Sequence, residues 1–391
     1  MASHSDIRKG ILERRIGSAR AIRHRRTAGG ISDWSAFRAA GMLLTLSVVS
    51  FSQVTFSEFS VPSAGPFGSI TSGSDGNLWF TEVVRLQGPG QTGLNGPQLR
   101  RVWRMTTAGV VTEFPAPSLQ APPGAITNGP GGDLWFTEYQ TNRIGRISTA
   151  GAITEFPIPF FGVAGITSGP DGNLWFTGYD GNQIGRITSA GLVAVFPLPM
   201  AGSKPSAITC GPDGNLWFRE DGANRIGRIT TAGVITEFPI PTALPSPGGI
   251  TAGADGNLWF TESSANQVGR ITPSGAVTEF AVPTAGSAPE AITSGSDGNL
   301  WFIESFGNRL GRITPAGTVT EFVLPTAAVR GPPAITSGSD GNLWFTVSFA
   351  NRLGRAVLAA PSPQAVPISP WIAMAGLAGL GVFRLRQKWR R

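Results

Sequence analysis

The sequence predicts an all-β fold: a seven-bladed propeller of four-stranded blades, with the last blade closed by the N-terminal strand. Three observations carry this. A Trp-Phe pair begins at Trp79, Trp135, Trp175, Trp217, Trp259, Trp301 and Trp344, at intervals of 56, 40, 42, 42, 42 and 43 residues. A fixed period of about 40–45 residues is the length of a four-stranded blade. Gly and Pro punctuate each unit roughly every ten residues, which leaves no segment long enough for an amphipathic helix. The third observation is a strand signature, Glu-Phe, which occurs at Glu58 before the first Trp-Phe unit and is missing after the last.

The unit from residue 207 to 241 shows how each element is read. Residues 207–210 form the innermost strand, a. Asp213-Gly214 is a hairpin turn, since glycine tolerates the positive φ that such turns need. Strand b covers residues 215–220, and its run Leu216-Trp217-Phe218 need not alternate with polar residues, because both faces of a blade are covered. Asn224 opens the next turn, strand c covers 225–230, Ala232-Gly233 turns again, and strand d covers 234–239. Strand d degenerates to Val195-Phe196 in one unit, and the last unit ends at Arg355 with no strand d of its own. Residues 57–62 therefore complete the last blade, which removes the free edges of an open sheet.

The first unit carries an insertion at residues 83–101, rich in Gly, Gln and Pro, expected as a surface loop or a flap over one face. Cys210 is the sole cysteine, so neither an internal disulfide nor a thiolate zinc site is available.

Composition fits one large domain with terminal additions. The chain has a formal net charge of +7, but this charge sits at the ends. Residues 1–38 carry nine Lys/Arg against Asp6, Glu13 and Asp33, and the tail from Arg384 to Arg391 adds five more basic residues. The remainder holds 17 basic against 21 acidic residues. A nucleic-acid binder places positive charge on its folded surface, so nucleic acid is excluded as a partner.

We divide the chain into a basic leader with a signal-like apolar segment (1–52), the propeller (53–358), a Pro-rich linker (359–366), and an apolar segment with a basic tail (367–391). Residues 39–51 form the apolar run behind the leader, and Ser50-Phe51-Ser52 is a small-x-small cleavage site. At the other end, the start Val366-Pro-Ile-Ser-Pro-Trp371, the apolar stretch and the Arg-rich end resemble the IPTL-CTERM type of sorting signal. That resemblance implies a Gram-negative source, an exosortase-like membrane enzyme as partner, and an exported protein held at the envelope or secreted. The terminal apolar segments make the membrane a further partner.

The patterns Gly-Pro-Asp-Gly-Asn-Leu-Trp-Phe, Asn-Arg-Ile-Gly-Arg-Ile and Thr-Glu-Phe-Pro-Ile-Pro, over residues 54–358, resemble the streptogramin (virginiamycin B) lyase family. The resemblance implies a seven-bladed propeller. It also implies an enzyme that opens a cyclic depsipeptide by elimination at an ester, with a histidine base and Mg²⁺ held by acidic groups. The family's histidine lies in a Pro-His-Gly-Ile segment entering strand a. The matching segments here begin at Pro66, Pro123, Pro205, Pro247, Pro289 and Pro333, and none contains His. His4 and His24 are the only two histidines, and Val347 replaces the Glu that follows Trp-Phe-Thr in the last blade. Glu290 with Glu304 is the substitute catalytic pair; Glu262 and Glu304 are the candidate metal ligands.

Recurring charges are given structural roles first. Arg146, Arg186, Arg228, Arg270, Arg312 and Arg355 on strand c, and Glu113, Glu155, Glu237, Glu279 and Glu321 on strand d, read as cross-strand pairing within blades. Glu82, Glu138, Glu220, Glu262 and Glu304 end strand b, where they either bond the following turn or ring a cation. A ligand site is expected where the repeat breaks its own rules, in the third and fourth blades. Its candidates are Tyr139, Tyr179, Asp180, Lys204, Arg219, Glu220 and Asp221, with a small molecule, peptide or glycan as ligand. Two functions stay open: a binding or scaffold propeller without the lyase chemistry, or a carbon-oxygen lyase or hydrolase acting on a cyclic ester or lactone through carboxylates and Mg²⁺.

Overall fold

The computed structural model describes residues 54–63, 66–85, 98–116, 123–242, 247–326, 333–347 and 350–358. They form seven four-stranded antiparallel sheets. Six sheets take their strands in chain order; the first comprises Phe67–Ser72, Leu78–Arg85, Gln98–Met105 and Val111–Pro115, and blades are numbered from it. The fourth comprises Pro205–Cys210, Leu216–Glu220, Arg225–Ile229 and Ile235–Pro239. Its inner strand starts two residues before the expected position, because Pro205 pairs with Glu220 beyond a β-bulge that ends at Ile208.

The seventh blade closes the ring as expected. Ile335–Ser337, Leu343–Val347 and Arg352–Val357 come from the end of the repeat, and Thr55–Ser60 supplies the outer strand. Thr55 lies opposite Val357 and Ser60 opposite Arg352. Glu58 fastens this seam, accepting from Arg352 Nη1 at 2.8 Å and from Thr326 Oγ1 at 2.7 Å. Arg352 is half-exposed, so Glu58→Ala is expected to cost about 1 kcal/mol, seen as a lower urea midpoint. An unchanged midpoint would leave the seam to its backbone pairing alone.

Blades pack through the alternation of the second strand. Trp175 of the third blade clusters with Leu216, Phe218 and Ile229 of the fourth, and Trp217 clusters with Leu258, Phe260 and Ile271 of the fifth. Tryptophan thus faces the next blade, and the phenylalanine after it faces the previous one. The phenylalanine ring explains the glycine in Arg-Ile-Gly-Arg-Ile: a Cβ on Gly227 would lie 2.2 Å from Phe218.

The recurring arginines act within and between blades. Arg228 lies 5.6 Å from the ring centroids of both Trp217 and Phe238, and its Nη1 donates to Pro273 O of the next blade at 3.0 Å. The Arg–Glu pairs use a different arginine from the one expected: Arg225 donates to Glu237 at 3.1 Å and Arg143 to Glu155 at 2.7 Å. Strand parity is the reason. Glu237 sits opposite Gly227, on the face of Arg225 and not of Arg228. Arg312, in the sixth blade, keeps its place over Trp301 and Phe322 but donates to Thr320 Oγ1 at 3.5 Å in place of a carbonyl, since the closing strand leaves the seventh blade without the turn that supplies one elsewhere.

The insertion in the first blade begins and ends as sheet, with Arg85 opposite Gln98. Residues 86–97, the leader and signal-like segment, the linker and the C-terminal segment lie outside the described residues. Among the described residues no helix is long and apolar enough to cross a membrane.

Candidate ligand site

The turn after each second strand shares a face with the link into the inner strand. In the fourth blade the two are joined: Asp221 N–H donates to Lys204 O at 3.2 Å and Gly222 N–H to Ser203 O at 2.9 Å. On this face the structure brings most of the expected ligand residues into one row across three blades. Tyr139 Oη donates to Asp180 Oδ2 at 3.1 Å, and burial together with that bond raises the phenol's pKa. Lys204 Nζ lies 5.7 Å from the ring centroid of Tyr179 and beside the Asp221 carboxylate. Phe161 and Met200, exposed in the adjoining links, add apolar surface that the sequence reading missed. Lys204 itself is held at φ 51, a left-handed conformation that a non-glycine residue adopts at a cost. Its counterpart Ala288 has φ 53, so the conformation belongs to this type of link and the lysine side chain to this blade alone.

Below the row lies Arg219, where the repeat's usual residue is threonine. The threonines tie blades together. Thr177 Oγ1 accepts from Gly165 N–H at 2.8 Å, inside the inner-strand bulge, and donates to Ser206 O of the next blade. Thr81, Thr137 and Thr261 do the same. Arg219 therefore faces the fifth blade. Its Nη2 is 3.8 Å from Asp221 Oδ1, while Nε and Nη1 have no partner. Burial pushes its pKa down to about 10, against the pull of Asp221 and Glu262. Asp221 accepts from Ser206 Oγ at 2.8 Å, and burial raises its pKa despite Arg219, Ser206 and Lys204.

Glu220 is placed apart from this group, since it follows Arg219 and shares the opposite face with Phe218. Burial raises its pKa to about 7, with Ser203 and Arg225 opposing and Glu237 adding to the shift. Glu262 faces back toward Arg219. Burial and the neighbouring Glu279 raise it to about 7, and neither carboxyl oxygen has a partner. Glu304 is raised to about 7 by burial and by Glu321, with Ser287 and Arg309 opposing. Glu290 is raised by burial, with Ser305 beside it.

The other carboxylates of this series are engaged locally. Glu82 accepts from Trp103 Nε1 at 2.6 Å and from Ser63 Oγ; Glu138 accepts from Thr141 Oγ1 in the following turn at 2.8 Å. The series is broken at Gly178, where a Cβ would lie 2.5 Å from Phe160, and at Val347. Glu262 and Glu304 face different blade interfaces, and no three acidic, His or Cys groups among the described residues converge to hold a metal. The donor set among the described residues does not fit Mg²⁺.

The chain matches the model of the virginiamycin B lyase family over residues 49–159, 95–243 and 161–362. Three solved structures are similar at 38% identity. One is a streptogramin B lyase, with a TM-score of 0.69 over 78% of this chain and 98% of that one. A second is selenomethionine-substituted virginiamycin B lyase from Staphylococcus aureus, with a TM-score of 0.70 over 78% and 100%. A third, with a TM-score of 0.69 over the same shares, is a catalytically inactive His-to-Ala variant of the S. aureus enzyme with Quinupristin. No curated protein sequence matches the chain.

Proposed function

The chain belongs to the virginiamycin B lyase family, and from that premise we propose that it is an exported, envelope-held propeller that binds a ligand without opening it. One observation carries the reading: residues 25–391 contain no histidine. A similar structure is described as catalytically inactive after a single His-to-Ala change. Elimination needs a group that takes the proton within hydrogen-bond reach of the substrate, and histidine is the side chain suited to that near neutral pH. The row from Tyr139 to Asp221 supplies the ligand surface in this reading. The charge and apolar pattern of residues 1–52 and 367–391 supports export and anchoring.

A second reading, residual lyase or hydrolase activity, rests on Glu290. It is a half-buried carboxyl with a raised pKa on the inner strand of the sixth blade, in a segment that matches the family's histidine segment. The test is incubation of the purified full chain with Quinupristin, with and without Mg²⁺. The expected result is intact compound under both conditions. Linear product that disappears in Glu290→Gln would establish the second reading instead.

A further inference from the structure

We infer that the interface between the fourth and fifth blades is a binding site for a carboxylate group, anchored by Arg219; this deepens the ligand-binding reading and rests on it. Arg219 is 5% exposed, and two of its three guanidinium nitrogens have no partner. Buried donors left unmade are costly, and more so when the donor is charged. The nearest acid does not relieve them, because Asp221 Oδ1 is 3.8 Å away and already takes the Ser206 hydroxyl.

The exchange of threonine for arginine also reverses the polarity of the place. Elsewhere the threonine oxygen accepts the bulge amide, as at Ser69, Ala125, Gly165, Gly249 and Ala334. A guanidinium has no acceptor to offer Ala207 N–H. The spot thus holds a cation where the other blades hold an acceptor, and Lys204 shares Asp221 with it. In the sixth blade Ile303 also removes the acceptor, but it brings no donor, so it makes no comparable site.

Across the interface Glu262 is 4% exposed with both oxygens unpartnered. Burial keeps it largely protonated below neutral pH, when it is a further donor and not a competing anion. A carboxylate, with two acceptor oxygens and a planar fit to guanidinium, satisfies these donors together.

Benzoate and benzamide, titrated calorimetrically into the full chain at pH 6, test this. Benzoate should bind saturably, and benzamide at least about tenfold more weakly, the ratio of a 1.4 kcal/mol difference. Arg219→Thr should weaken benzoate at least about tenfold. That change restores the residue of five other blades, and a urea midpoint no lower than wild type shows it folded. No benzoate binding, equal binding by the folded variant, or benzamide binding as tightly as benzoate would each overturn the site. If benzoate fails while Quinupristin stays intact, only the carboxylate site falls. If Quinupristin is linearised, the binding-only reading falls whatever benzoate does.

Discussion

Trp217→Ala should destabilise the propeller by about 3–5 kcal/mol, enough to remove most of the stability of an ordinary domain. Trp217 is fully buried, packs into the core of the fifth blade, stacks on Phe238 at 5.5 Å, and carries Arg228 on its ring. Its Nε1 donates to Asp213 Oδ1 at 2.9 Å, which holds the first turn of the blade. Alanine leaves a cavity between two blades and frees both Asp213 and Arg228. Phe is the informative control. It keeps much of the ring but loses the bond to Asp213, so Trp217→Phe should cost clearly less than Ala. Equal losses would mean that the turn bond, not the packing, carries the effect. The measurement is a urea unfolding curve of each variant.

The second large effect is with pH. Glu220, Glu262 and Glu304 all have folded pKa values of about 7 against an ordinary 4.5, with burial the leading cause. Glu237, Glu279 and Glu321 face them and add to the shift, whereas Arg225, Arg219 and Arg309 oppose it. The folded state therefore binds more protons than the unfolded chain between about pH 4.5 and 7, and stability falls as pH rises through that window. Each group contributes on the order of 1–3 kcal/mol, so the protein should lose several kcal/mol between pH 5 and pH 8. Below this window the trend reverses. Burial acts to raise Asp75, Asp171, Asp213 and Asp255, but hydrogen bonds from the neighbouring Asn and Trp outweigh it, so these carboxyls are lowered and resist protonation. Their stabilising bonds are lost as pH drops below their ordinary 3.8. A triple Gln variant at 220, 262 and 304 should flatten the slope between pH 5 and pH 8. A melting temperature that rises across that range in wild type would contradict the assignment.

Much of this was legible in the residues. The spacing of Trp-Phe pairs and the stray Glu58-Phe59 specify seven blades and a closing strand, because each blade must bury the same tryptophan against its neighbour. Irregular positions pointed to a real spatial group: Tyr139, Asp180, Tyr179, Lys204 and Asp221 meet in one row because turns and links share a face. What was missed was strand parity. Period-two alternation already separates Arg225 from Arg228 and Arg219 from Glu220, and reading it would have assigned Glu237 to Arg225 and turned Arg219 toward Glu262. The partners that cross blades, such as Ser206 O for Thr177 and Pro273 O for Arg228, carry no local signal. They depend on how a bulged inner strand meets the following turn, which appears only once the ring is assembled.

A lyase-family propeller without histidine in its blades is expected to keep a ligand surface and to lack the elimination. Incubation of Quinupristin with a molar excess of the full chain and Mg²⁺, followed by mass spectrometry of the recovered compound, tests it most directly, since even one turnover per molecule would register. The compound should return cyclic and intact after prolonged incubation. Recovery of the linear, ring-opened product, absent from a buffer control, would contradict it.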